Sequence, residues 1–227
     1  MTIFWLGAVL VVSADSVGPK EALAPFNVLV GSWKGTGTLD APKSDKGKEF
    51  WTETVTWGWK FKGTDAWLTA AFEGSKHFTS GELRYLPGTK TFRLTVTTPE
   101  KQSLVYTGPL AVGRNKESIL TLERTEGVNS ERLVWTLPHH NRHLYRLDAK
   151  TAAGGAFVRR WQVGATKEGE PFASLPNEKE CVVSGGRGTI AVSHNGTTYY
   201  VCCTGCKEAF AEEPEKYIKE FEAKRKK

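Results

Sequence analysis

The feature that most constrains this chain is a long run of short alternating segments between about Gly31 and Val163. "SWKGTGTL", "FWTETVTWGW", "AWLTAAFE", "SGELRYL", "TFRLTVT", "SLVYTGPL", "SILTLER", "ERLVWTL", "HLYRLDA" and "AFVRRWQV" each set apolar against polar residues in rough alternation. A period of two is the mark of strands with one buried face. Turn signals separate them: "APKSDKGK", "KGTD", "PGTK", "TPEK", "GRNK", "TEGVNS", "PHHNR" and "KTAAGG". Short links between successive strands predict an antiparallel meander. A meander of about ten strands removes its exposed edges most simply by closing on itself. The expected fold class is therefore mainly β: a roughly ten-stranded antiparallel up-and-down barrel over residues 26–163, followed by a small α+β module of hairpin plus helix.

Composition agrees with a soluble globular chain, since 39% of its 227 residues are hydrophobic and 25% charged. The net charge of +6 is spread along the chain except for the closing "KRKK". No basic stripe with interleaved aromatics accompanies that tail. It reads as a solvated helix end, and no nucleic-acid partner is expected. At the other terminus, "IFWLGAVLVV" is too short to span a bilayer and is followed by the small-residue site "VSA". Residues 1–14 are expected to be a signal peptide cleaved after Ala14, with no stable membrane span and a secreted or periplasmic destination.

The first strand is particular. "LVGSWKGTGT" carries Gly31, Trp33, Gly35 and Gly37. This opening resembles the first strand of lipocalin and fatty-acid-binding-like barrels, and the further Gly-x-Gly is similar to that of nitrobindin-type haem barrels. The resemblance implies a Trp33 that plugs one end and glycines that let the strand bend as the sheet closes. It also implies an axial histidine late in the barrel, but "AFVRRWQV" has none. His139, His140 and His143 fall in or beside the turn "PHHNRH" and His77 near another, where a histidine is more often solvated than ligating. Haem is accordingly not expected. The interior is expected either to hold an apolar small molecule or to be filled by the barrel's own tryptophans.

No paired acids, nucleophile triad, Gly-x-Ser-x-Gly, Walker or dinucleotide motif occurs, so no enzymatic activity is expected. The alternation lapses over residues 164–180, a polar stretch with Pro171 and Pro176 that reads as a linker to a module at 181–227. All four cysteines lie in that module: Cys181, Cys202, Cys203 and Cys206. "TIAVSHNGTTYYVC" predicts a hairpin turning at Asn195-Gly196. Its register pairs His194 with Thr197, which makes His194 a turn residue and not a ligand. After Cys206 the chain reads as helical, with Pro214 starting a second helix.

Cys202 and Cys206 bracket the strand-to-helix turn, where two thiolates can converge, and Cys181 arrives at the same end through a glycine-rich bend. Cys203 is expected to leave the opposite face of the strand if both neighbours are extended, and so to be the weakest member. Thiols at a helix start beside Lys207 are expected to have depressed pKa values. Three thiolates select zinc or copper(I) over hard cations. A module this small also needs a staple. A disulfide from Cys181 to Cys202 or Cys206 is the competing arrangement, but it leaves two cysteines stranded at one corner.

Tyr199, Tyr200, Cys202, Cys206, Phe210, Pro214 and Tyr217, with Cys181 upstream, resemble a YHS domain of the TRASH-like metal-binding group. The resemblance implies a β-hairpin-plus-helix knuckle with Cys181, Cys202 and Cys206 as ligands and Cys203 as an extra. The expected function is buffering, delivery or sensing of a thiophilic ion, with a metal-exchange protein as partner. The alternative is a carrier of an apolar ligand (lipid or haem) in the barrel, with the cysteine module as a structural staple.

Overall fold

A computed structural model describes residues 17–40, 49–139, 141–150, 155–169 and 179–225. The anticipated signal peptide, residues 1–14, lies outside them. The chain enters through a short helix α1 (Pro19–Leu23) and a 3-10 turn (Ala24–Leu29). Proline begins α1, where its missing N–H is not needed.

Eleven strands then form one antiparallel sheet: β1 (Gly31–Leu39), β2 (Phe50–Lys62), β3 (Asp65–Glu73), β4 (Ser80–Leu86), β5 (Thr91–Thr97), β6 (Ser103–Gly108), β7 (Leu110–Val112), β8 (Ser118–Glu126), β9 (Asn129–His139), β10 (Arg142–Lys150) and β11 (Val158–Lys167). Sequence neighbours pair throughout except β6 and β7, which both pair with β8, and β11 pairs with β1. β6 and β7 act as one strand interrupted at Pro109, because Thr107 faces Glu123 and Leu110 faces Leu120 in an unbroken register along β8. Pro109 still accepts the Thr121 N–H at 3.2 Å but has none to give. At Gly108 a Cβ would stand 1.9 Å from the Thr121 carbonyl oxygen, so only glycine fits there. The result is the closed ten-strand antiparallel barrel that the alternation predicts.

The interior is lined by every second residue. On β2 these are Trp51, Glu53, Val55, Trp57 and Trp59, all buried. Gly37 makes room for the Trp51 ring, which would lie 2.0 Å from any Cβ placed there. Trp33 is wholly buried and donates its indole N–H to the Leu29 carbonyl at 2.6 Å, which ties the 3-10 turn across one end of the barrel. The anticipated plug is therefore in place. β11 continues to Lys167, so residues 164–167 belong to the barrel and not to a linker. Val163 and Ala165 keep the inward alternation there, and Trp33 pairs with Lys167.

One expectation about histidine is corrected. β10 starts at Arg142, and its register against β9 shifts between Arg142 and Leu144. Against β11 the register is unbroken there, and His143, two residues before the inward Tyr145 and opposite Ala165, points into the barrel and is fully buried, its ring 4.5 Å from that of Trp33. It is neither a turn residue nor solvated. His77 lies stacked on Trp161 at 4.3 Å.

After the barrel, β12 (Ile190–His194) and β13 (Thr197–Val201) form the predicted hairpin, followed by α2 (Thr204–Glu212) and α3 (Pro214–Arg225). Asn195 and Gly196 both have positive φ, as a tight hairpin turn requires, and His194 pairs with Thr197. The module does not hang free. Its buried residues join those of the barrel in one continuous core. Phe61, at the end of β2, meets Tyr217 of α3 at 6.4 Å, and Lys20 pairs with Glu220 at 2.5 Å.

Candidate metal centre

Four free thiols gather where the module meets the barrel. β13 stops at Val201, so Cys202 and Cys203 lie in the bend between strand and helix. Cys203 is the N-cap of α2, with extended backbone (φ −157°, ψ 174°). Cys206 sits in the first turn of α2, which brings its sulfur to 3.4 Å from that of Cys202. Cys181 is carried in by a tight bend: its N–H donates to the Gly186 carbonyl, and its carbonyl accepts from Gly185. Gly185 has φ +74°, a conformation that suits glycine. The Sγ atoms of Cys181, Cys202 and Cys206 all lie within 4.8 Å of one another, and Cys181 and Cys206 are fully buried.

Cys203 stands outside the group of three mutually adjacent sulfurs. The reason is not two extended strand residues on opposite faces, because the strand ends before either cysteine. The Cys203 Sγ is 3.9 Å from the Cys202 Sγ and accepts the backbone N–H of Trp59 at 3.3 Å. An ion held tetrahedrally at about 2.3 Å from each sulfur sets sulfur–sulfur distances of about 3.8 Å. The Cys202–Cys206 and Cys202–Cys203 separations bracket that value. The residues present therefore fit a thiophilic ion. Cys203 is a further thiol beside the three mutually adjacent sulfurs.

Polar donors surround the sulfurs. The Ser184 N–H donates to Cys181 Sγ at 3.4 Å, and the Ser184 hydroxyl meets Cys202 Sγ at 3.4 Å. Neighbouring S–H groups, those of Cys202 and Cys206 first, hold the Cys181 thiol well below the usual thiol range. Cys203 is lowered in the same way, by Cys202 first and with help from the Trp59 N–H. Burial pushes Cys206 up. The protons are thus unevenly shared, and the cluster can carry thiolate inside a largely buried site. The lowering arises from these sulfur and backbone donors rather than chiefly from the charge of Lys207. His194 takes no part: its Nε2 is paired with the Asn195 side chain at 3.1 Å.

The barrel interior holds a second polar set. Glu53 is buried and accepts the Trp51 indole N–H at 2.8 Å and the Tyr145 hydroxyl. Burial, reinforced by Glu53, holds the Tyr145 phenol well above its ordinary value. The indole nitrogens of Trp57 and Trp135 and both ring nitrogens of His143 have no hydrogen-bond partner among the described residues. Burial pushes His143 down to about 3 and His77 down to about 4, so both are neutral near pH 7. The alternation of β10 was the signal that could have placed His143 inside.

No family model matches the chain, and no curated protein matches it. Among solved structures, the crystal structure of Rv2717c from M. tuberculosis is similar at 18% identity and a TM-score of 0.47. The match covers 65% of this chain and 97% of that one.

Proposed function

We propose that this chain is an exported, non-enzymatic metal-binding protein that takes up zinc or copper(I) and buffers, delivers or senses it. One observation carries the reading: the sulfurs of Cys181, Cys202 and Cys206 converge within 4.8 Å of one another. The YHS-like pattern of Tyr199, Tyr200, Phe210, Pro214 and Tyr217 around them supports the same class of site. Cys203 stands at the rim, near enough to complete a four-sulfur shell after a small movement. A ligand that joins and leaves suits exchange with a partner better than a closed structural site. The N-terminal apolar run and its small-residue cleavage site support export. Among the described residues no helix is long and apolar enough to cross a membrane. Elemental analysis of protein purified reduced from its own host tests the proposal. It predicts about one zinc or copper ion per chain bound through these sulfurs.

A second reading, a ligand in the barrel, is favoured by the unpartnered interior nitrogens of Trp57, Trp135 and His143. They suit a small molecule that brings hydrogen-bond acceptors or a metal better than a purely apolar one. Solvent extraction and mass analysis of the same preparation separate the two readings.

A further inference from the structure

The thiol centre is built against the barrel wall, and one barrel residue reaches it by two routes. The first is direct: the main-chain N–H of Trp59 donates to Cys203 Sγ at 3.3 Å. The second runs through side chains. The Trp59 indole N–H donates to Asn27 Oδ1 at 2.9 Å. Asn27 Nδ2 in turn donates to the Ser184 carbonyl at 2.9 Å. Ser184 closes the path, with its N–H on Cys181 Sγ and its hydroxyl against Cys202 Sγ, each at 3.4 Å. Asn27 lies in the 3-10 turn that plugs the barrel, and Trp59 is almost wholly buried.

Close backbone contacts fix this geometry. A Cβ on Gly205 would stand 1.7 Å from the Trp59 carbonyl oxygen, so α2 can approach β2 only with glycine there. A Cβ on Gly186 would meet Asn27 Cγ at 3.0 Å. The bend that carries Cys181 and the helix that carries Cys206 are therefore both pressed onto barrel residues. N–H donors to thiolate sulfur are charge-assisted, and groups that orient metal ligands from outside the shell affect affinity strongly.

We propose that Asn27 and Trp59 are positioning residues of the thiol centre, so that metal affinity is set by the barrel as well as by the cysteines. This rests on the metal-binding reading above. It assigns the barrel a role in that function beyond scaffolding. By linkage, occupancy of the centre is felt at the Trp59 indole.

The test uses the full chain, reduced, with Zn2+ in competition with a chromophoric chelator and with Co2+ as a spectroscopic probe. Asn27→Ala is expected to weaken zinc binding roughly ten- to a hundredfold and to shift the sulfur-to-cobalt charge-transfer band. Lys60→Ala removes the exposed Lys60–Glu208 pair, at 3.7 Å another link between barrel and module, and is expected to change neither. Asn27→Asp keeps the acceptor for Trp59 but loses the donor to Ser184, and is expected to weaken binding as Asn27→Ala does. Trp59→Phe keeps the main-chain donor to Cys203, and is expected to abolish most of the metal-induced change in tryptophan fluorescence. If Asn27→Ala does not fold, the Asn27→Asp and Trp59→Phe measurements stand in its place. Wild-type affinity and spectrum in the Asn27 variants, or an unaltered fluorescence response in Trp59→Phe, overturns the proposal while leaving the metal reading intact. Wild-type protein that takes up neither ion overturns both.

Discussion

Gly205, in the first turn of α2, sits directly on the main chain of Trp59 in β2, with no room between them for a methyl group. The contact joins the cysteine-bearing helix to the barrel at a point where the Trp59 carbonyl cannot give way without disturbing the sheet. Gly205→Ala is therefore expected to lower stability by about 1–3 kcal/mol through overpacking. Denaturant unfolding checks the loss, and faster alkylation of Cys203 and Cys206 checks its location.

The cysteines should not contribute equally. Changing Cys181, Cys202 or Cys206 to Ser removes one of three mutually adjacent sulfurs and is expected to abolish tight metal binding. Cys203→Ser is expected to keep a stoichiometry of one ion, weaken binding roughly tenfold and speed metal release to a chelator. Chelator competition and stopped-flow release measure both. Equal loss in Cys203→Ser and Cys202→Ser makes Cys203 a full ligand and removes the exchange argument.

That distinction shows where the sequence stops being readable. Alternation within each strand identifies the inward residues of β2 and β11 and therefore the barrel, because burial on one face is a local property. Asn195-Gly196 fixes the hairpin register for the same reason. The surroundings of Cys203 depend on where β13 ends and on Trp59, a residue far away in the chain. The docking of Ser184 on Asn27 likewise spans most of the sequence. His143 keeps the inward alternation of Tyr145, but it stands beside a segment rich in turn residues, which hides the start of β10.

The buried His143 predicts an acid-sensitive fold. Its folded pKa, about 3, lies below the ordinary 6.5 because burial opposes the charged form. Between those values the unfolded chain binds the proton and the folded one does not, so stability is full above pH 6.5 and falls as pH drops toward 3. Between pH 7 and pH 5 this group alone should cost about 2 kcal/mol. Urea midpoints at the two pH values measure the slope, and His143→Leu is expected to flatten it. An unchanged slope in that variant would place the acid sensitivity elsewhere, with His77 as the next group to replace.

Tyr145 and Glu53 form a buried pair whose partners are unequal in chemistry. Removing the hydroxyl with Tyr145→Phe leaves the Glu53 carboxylate with the Trp51 indole N–H as its remaining side-chain hydrogen bond among the described contacts. The expected cost is about 1–3 kcal/mol. Thermal unfolding of the two proteins at pH 7 provides the comparison, and an equally stable variant contradicts a role for the pair in holding the interior together.

The central claim is that the clustered thiols bind one thiophilic ion as thiolates. Titration of the reduced full chain with zinc in weakly buffered solution containing a pH indicator measures both parts together, since the equivalence point gives the number of ions and the indicator gives the protons they displace. The prediction is one zinc per chain, bound with release of the protons that Cys202 and Cys206 hold, and no tight zinc binding in Cys202→Ser. A wild-type chain that stays metal-free under those conditions, or that binds zinc without losing thiol protons, contradicts it.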